Sequence, residues 1–92
     1  MTNEKNEGSK DEQKTFKITV NGRPRDVTVE NLSYKDVVIL AYGEAAANDE
    51  QFHFTVMYHH ADQKPADGEL LSGESVKIKN NTSFDVTKTI RS

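Results

Sequence analysis

The stretch FKITVNGRPRDVTVENLSYKDVVILAYG, residues 16–43, decides the fold. It opens with apolar residues at every second position, the pattern of a strand with one buried face: Phe16, Ile18 and Val20. An Asn-Gly turn signal at residues 21–22 precedes a second alternation at Val27 and Val29, so the two runs predict a β-hairpin. We expect a loop of about five residues, because Pro24 cannot donate a hydrogen bond within a sheet.

A short helix is predicted directly after the hairpin. Ser33 is a favourable N-cap, and Asp36, three positions later, completes a capping box. Gly43 is the expected C-terminal stop. The apolar residues between these signals have helical spacing and form one stripe: Tyr34, Val37, Val38 and Ala41. A helix of two to three turns depends on packing against a sheet for its stability.

Further strands are expected after a polar connection. Residues 52–60 alternate, with one apolar face: Phe52, Phe54, Val56 and Tyr58. Short extended pieces are predicted at residues 70–71 and 76–78. The last strand covers residues 83–90, and three of its side chains are predicted to point inward: Phe84, Val86 and Ile90.

This element order predicts an α+β domain with one helix packed across a mixed sheet of four to five strands. Placing the last strand beside the first satisfies the preference for right-handed crossovers. The resulting arrangement is the β-grasp (ubiquitin-like) fold. Residues 1–14 are polar apart from Met1, so we expect a disordered N-terminal tail before a domain over residues 15–92.

The composition excludes several functional classes. The chain has 92 residues, enough for one domain, and a formal charge of -3, which does not favour nucleic acid as a partner. No apolar run has the length of a membrane span, and the first residues lack the apolar core of a signal peptide. Without cysteine there is no thiolate nucleophile and no Cys-based zinc site. We expect a cytoplasmic protein.

No motif predicts catalysis, a metal site or a cofactor. Neighbouring residues of a strand point to opposite faces, so His59 and His60 cannot share a metal ion there. His53 and His59 share a face but are separated by roughly 20 Å along the strand. No nucleophile–base set stands out. We therefore expect that the protein is not an enzyme.

Two features are candidates for contact with partners. Met57 is predicted on the outward face of the third long strand, where it would be the centre of a small protein-binding surface with Thr19 and Thr87. Chance exposure of a single apolar side chain is the alternative. The second feature is the C-terminal end, residues 89–92, which we expect to leave the last strand, where it would be free to enter a groove in a partner. The alternative, which the residues alone favour, is an ordinary mobile terminus.

Residues 15–92 as a whole resemble the bacterial multiubiquitin family, whose ubiquitin-like domains often occur in tandem. The resemblance is carried by FKITVNGRPRDVTVENLSYKDVVILAYG, by FTVMYHHAD and by GELLSGESVKIKNNTSFDVTKTIRS. Its most specific parts are the Val-Asn-Gly-Arg hairpin, the Leu-Ser-Tyr helix entry and the Gly-Glu-Ser-Val-Lys segment. The chain holds one such domain, which indicates a single-copy member or one copy cut from a longer array.

The resemblance implies a protein modifier. In such systems an E1-like enzyme adenylates the modifier's C-terminal carboxylate, an E2-like enzyme carries it to targets, and a JAB-type metallopeptidase removes it. Ser92 would supply the carboxyl, and Ile90 and Arg91 would complete the conjugation tail, although ubiquitin ends in Gly-Gly. Met57 looks equivalent to the central residue of ubiquitin's contact surface. The targets are not indicated, and the alternative is a β-grasp binding module that is not conjugated.

Overall fold

The structure is a computed structural model that describes residues 14–91. Residues 1–13, which make up nearly all of the expected disordered tail, and Ser92 lie outside the described residues. Seven strands and two helices follow in chain order: β1 Phe16–Val20, β2 Arg23–Val27, β3 Asn31–Ser33, α1 Tyr34–Tyr42, α2 Glu44–Ala47, β4 Phe52–His59, β5 Gly68–Leu70, β6 Ser75–Lys77 and β7 Ser83–Ile90.

The main sheet has five strands in the order β2-β1-β7-β4-β5. β7 is the central strand; it is parallel to β1 and antiparallel to β4. α1 packs across β1, β7 and β4. The predicted α+β, β-grasp architecture is therefore confirmed, including the last strand beside the first. A separate two-stranded sheet of β3 and β6 and the four-residue helix α2 were not predicted.

The hairpin differs from its prediction. β1 and β2 pair from Phe16 opposite Val27 to the turn itself, which has two residues instead of about five. Asn21 has a φ of 53°, a left-handed conformation that suits such a turn. Pro24 lies inside β2 and is tolerated there because β2 is an edge strand, where the missing N–H would face away from β1. Val29 lies beyond β2 and is 49% exposed, contrary to its predicted place in the strand.

The helix boundaries follow the predicted signals. The Ser33 hydroxyl accepts a hydrogen bond from the N–H of Asp36 at 3.0 Å, and the Asp36 carboxylate accepts one from the N–H of Ser33 at 3.2 Å. At the other end, Gly43 has a φ of 95° and its N–H donates to the carbonyl of Ile39. The capping box and the glycine stop are both confirmed.

The core lies between α1 and the inner face of the main sheet. It contains the predicted alternating positions of the long strands and the buried residues of α1: Ile18, Val20, Val37, Val38, Phe54, Val56, Tyr58, Phe84 and Val86. Ile90 has the same alternation as Phe84 but is 69% exposed, so its predicted inward position is wrong. The reason is that β7 continues past the end of α1 at Tyr42. Among residues 14–91, no helix is long and apolar enough to cross a membrane.

Candidate functional site

The end of β7 is held by its neighbour strand. Ile90 pairs with Phe52 at the start of β4, and the N–H of Arg91 donates to the carbonyl oxygen of Gln51 at 2.7 Å. The predicted extent of the last strand, residues 83–90, is therefore confirmed, and the chain leaves the strand after Ile90 and not at Thr89. The backbone here is extended and paired on one side.

The side chains at this end face solvent. Ile90 is 69% exposed and Arg91 is exposed, whereas Ser92, the predicted source of the carboxyl, lies outside the described residues. Of the three predicted tail residues, the structure therefore describes two. They extend the central strand beyond the helix that covers its first half.

On the side of β7 that faces β1, the side chain of Asn21 continues the hydrogen bonding of the sheet. The N–H of Asn21 donates to Phe84 O at 2.9 Å, as a strand residue would. Its side-chain amide then makes two bonds to Val86: Oδ1 accepts from the N–H at 2.7 Å, and Nδ2 donates to the carbonyl at 3.1 Å. Asn21 therefore extends the pairing of β1 with β7 by one residue while the backbone turns into β2.

Beyond Val86, β7 has a free edge on this side. Alternate residues of a strand direct their backbone groups to the same side, so the N–H groups of Lys88 and Ile90 point where that of Val86 points. Within residues 14–91 no strand pairs with them there. The second half of β7 thus offers backbone donors and acceptors to a partner.

The side chain of Lys88 connects the second half of β7 to the end of α1. The Lys88 ammonium lies 4.5 Å from the ring centroid of Phe52 and 5.3 Å from that of Tyr42. The Tyr42 hydroxyl also donates to the carbonyl of Val86 at 3.0 Å. These contacts join the end of α1, the start of β4 and the middle of β7 into one unit.

The outer face of the sheet holds the second predicted site. Met57 is on this face, as the alternation of β4 requires, and is partly exposed. It lies opposite Asp85 of β7 and Glu69 of β5. The two residues directly opposite Met57 on the neighbouring strands are thus both acidic.

Thr19 and Thr87 share the outer face with Met57. Thr87 is a diagonal neighbour of Met57, because Met57 lies opposite Asp85 and Thr87 is two residues further along β7. Thr19 lies one strand further away, opposite Ser83 of β7.

The imidazole of His59 lies on this face, partly exposed and close to two carboxylates. His59 Nε2 lies 3.1 Å from the Asp85 carboxylate, and Nδ1 lies 3.9 Å from that of Asp67. His60 has a φ of 62°, and its N–H donates to the Asp67 carboxylate at 2.9 Å. In the part of the chain that the structure describes, no group of three or more acidic or histidine side chains is arranged to hold a metal ion.

Two residues of the site were missed by reasoning from sequence. The sequence indicates only a turn at Asn21, and nothing in it indicates that the side-chain amide reaches β7. Lys88 does carry a signal, since it interrupts the apolar alternation of β7 on the inner face. A charged residue at such a position indicates that the helix no longer covers the strand there.

A family model described as Multiubiquitin matches residues 16–90, from the first residue of β1 to the last residue of β7. The chain belongs to the multiubiquitin family. The resemblance stated from the sequence is thereby confirmed, and this multiubiquitin-family chain carries a ubiquitin-like domain. Among curated proteins and among solved structures, none is similar enough to count as a match.

Proposed function

We propose that this multiubiquitin-family chain is a protein modifier, joined to target proteins through a carboxyl that follows β7, with that of Ser92 as the candidate. One observation carries the proposal: the central strand of the sheet continues beyond the helix and ends in exposed residues, Ile90 and Arg91. A carboxyl group at the end of such a strand is accessible to an enzyme, while the folded body remains available for recognition.

The proposed chemistry belongs to partner enzymes, and this chain is their substrate. The carboxylate attacks the α-phosphorus of ATP on an E1-like enzyme and releases pyrophosphate. A cysteine thiolate attacks the acyl adenylate, releases AMP and forms a thioester. The acyl group passes to an E2-like enzyme and then to a target amine, which forms an amide and frees the thiol. A JAB-type metallopeptidase hydrolyses that amide. Because ATP is consumed, we propose the cytoplasm as the compartment.

If Ser92 supplies the carboxyl, the enzymes accept a large basic residue next to it. Ubiquitin ends in Gly-Gly, but Arg91 precedes Ser92 here. We propose that the enzyme groove carries a carboxylate that pairs with the guanidinium of Arg91. The free edge of β7 at Lys88 and Ile90 would supply backbone hydrogen bonds to the same groove.

The test is a reconstituted reaction of the chain ending at Ser92 with an E1-like and an E2-like protein encoded beside it, and ATP. We expect an ATP-dependent adduct that is cleaved by thiol reductant, followed by a stable adduct in which Ser92 is linked to a lysine. The matched controls are a chain ending at Ile90, which should give a strongly reduced adduct yield, and Lys35→Gln, an exposed position on α1, which keeps the tail. No adduct with either enzyme would contradict the proposal.

The second candidate function is a docking module that is not conjugated. It is favoured by the hydrogen bond from Arg91 to Gln51, which holds the strand end instead of leaving it mobile. Its surface would be the outer face around Met57, Thr19 and Thr87. Deletion of Arg91 and Ser92 distinguishes the two candidate functions. A docking module would still bind its partner, whereas a modifier would no longer be conjugated.

A further inference from the structure

The turn between β1 and β2 contains the only Asn-Gly pair in the sequence, Asn21 and Gly22. Both residues are exposed, and their φ angles are 53° and 79°. Beyond the neighbouring residues, no atom lies within 4 Å of the place that a Cβ of Gly22 would occupy. The N–H of Gly22 has no hydrogen-bond partner among residues 14–91. The turn therefore places a side-chain amide next to an unhindered backbone nitrogen.

The chemistry that such a pair permits is deamidation through a cyclic imide. The nitrogen of Gly22 forms a bond to Cγ of Asn21, the Cγ–Nδ2 bond breaks, and Nδ2 leaves as ammonia with the proton of the Gly22 N–H. Water then opens the ring. Hydrolysis at Cγ gives aspartate, and hydrolysis at the backbone carbonyl gives isoaspartate. Glycine favours ring closure because no Cβ obstructs the approach of its nitrogen.

The fold restrains the amide that must react. Oδ1 of Asn21 accepts from the N–H of Val86 at 2.7 Å, and Nδ2 donates to the carbonyl of Val86 at 3.1 Å. The backbone N–H of Asn21 also donates to Phe84 O at 2.9 Å. Ring closure requires the carboxamide to rotate towards the nitrogen of Gly22, and this rotation breaks both bonds to Val86. The reaction therefore requires the turn to separate from β7.

We propose that Asn21 is a site of spontaneous deamidation that is protected while its side chain is bonded to β7, and that the reaction irreversibly weakens the attachment of β1 to β7. Water is the only co-reactant, and the turn is exposed to it. The proposal does not depend on conjugation, so its failure and the failure of the modifier role are distinguishable.

The products cannot restore the lost hydrogen bonds. Aspartate has an oxygen in place of Nδ2, so the donor to the Val86 carbonyl is lost and a charged oxygen faces the carbonyl oxygen. Isoaspartate adds a methylene to the main chain of a two-residue turn, which changes the connection between β1 and β2. In both products the free edge of β7 extends back to Val86. An opening of the sheet is thereby converted into a permanent change in the chain.

The first test compares deamidation in the folded and the unfolded full chain. The protein is incubated in mildly alkaline buffer with and without urea, and the tryptic peptide of residues 18–25 is measured by mass spectrometry, since Pro24 prevents cleavage after Arg23. The synthetic peptide ITVNGRPR corrects for any effect of urea on the chemistry. We expect Asn21 to react at least about tenfold more slowly in the folded chain. Equal corrected rates would overturn the proposal.

A second Asn-Gly pair in the same folded chain is the matched control. Ser72 is exposed and precedes Gly73, which has a φ of 88°. Among the described residues, no hydrogen bond joins Ser72 to β7. Ser72→Asn therefore places the same dipeptide in a turn without that protection. We expect the amide at position 72 to react at least about tenfold faster than Asn21 in the same sample. Similar rates at the two positions of the folded variant would overturn the proposal.

The consequence of the reaction is tested on its aspartate product. Asn21→Asp should lower the equilibrium constant for folding by about fivefold or more, because a carboxylate oxygen replaces the donor to Val86. Asn31→Asp adds the same charge at an exposed position on β3 and should change this constant by about twofold or less. Urea titration measures both. Equal effects of the two variants would show that the reaction does not weaken the attachment to β7, which contradicts the proposal.

Discussion

The inner-face residues of β7 have opposite environments in the two halves of the strand. Phe84 and Val86, in the first half, are 1% and 4% exposed and lie between β1 and β4 under α1. Ile90, on the same face in the second half, is 69% exposed and is paired with β4 alone. The difference lies in what covers the strand, because neither β1 nor α1 extends along β7 as far as Lys88.

This division explains how one strand can serve two purposes. Its first half is anchored by burial, by strands on both sides and by the amide of Asn21. Its second half pairs with β4 only, and the Lys88 ammonium lies over the rings of Phe52 and Tyr42. This half is therefore extended and accessible. A body that is stable and an end that is exposed are what the proposed modifier role requires.

The largest expected effect comes from the anchored half. Phe84→Ala should lower the free energy of unfolding by about 3–5 kcal/mol, because it removes a fully buried ring from the core. The matched change Ile90→Ala should alter stability by less than about 0.5 kcal/mol. Urea denaturation measures both, and similar losses for the two variants would abolish the distinction between the halves.

The next effect concerns the boundary between the halves. Asn21→Ala should cost about 2 kcal/mol, because two hydrogen bonds to Val86 are lost and alanine disfavours positive φ. Asn21→Gly keeps the turn conformation and should cost about 1 kcal/mol.

Asn81→Gly is the matched control for this boundary. Asn81 also has positive φ, and its side chain makes no hydrogen bond within the described residues, so the change should be nearly neutral. Thermal unfolding of the three variants gives the comparison. Equal stabilities for Asn21→Gly and Asn81→Gly would mean that the amide does not join β1 to β7.

A smaller effect on stability is expected from the contacts of Lys88 in the second half of β7. Lys88→Gln should lower stability by about 1 kcal/mol, because the ammonium no longer lies over the rings of Phe52 and Tyr42. Lys35→Gln, an exposed lysine on α1, is the control and should change stability by less than about 0.5 kcal/mol. In a double-mutant cycle, additive effects of Lys88→Gln and Phe52→Leu would contradict this contact.

The smallest effect is expected on the outer face. Met57→Ala should cost less than about 1 kcal/mol, since this side chain is only partly buried, whereas Val56→Ala on the inner face should cost about 2 kcal/mol. Chemical denaturation of the pair tests the register of β4. The reverse order would show that the strand is shifted by one residue.

Most of the fold is predictable because its signals are local. The alternation in β1, β4 and β7 predicts their inner faces, and the Ser33–Asp36 box and Gly43 predict the ends of α1. The position of Pro24 within a strand was not predictable in the same way. It depends on β2 being an edge strand, which is a property of the whole sheet.

The candidate site was less predictable for the same reason. Alternation gives the face on which Ile90 lies but not whether anything covers it, and coverage depends on where α1 ends in space. The role of Asn21 depends on a contact with Val86 across 65 positions of the chain. Conversely, the outward position of Met57 follows from alternation alone.

Native-state hydrogen exchange of β7 tests the central claim most directly. The N–H groups of Val86 and Lys88 point to the same side of one strand, but only that of Val86 has a partner in the described structure, the Asn21 amide. We predict slow exchange at Val86 and fast exchange at Lys88. Equal protection at the two positions would contradict the account, because the second half of β7 would then have no free edge to offer.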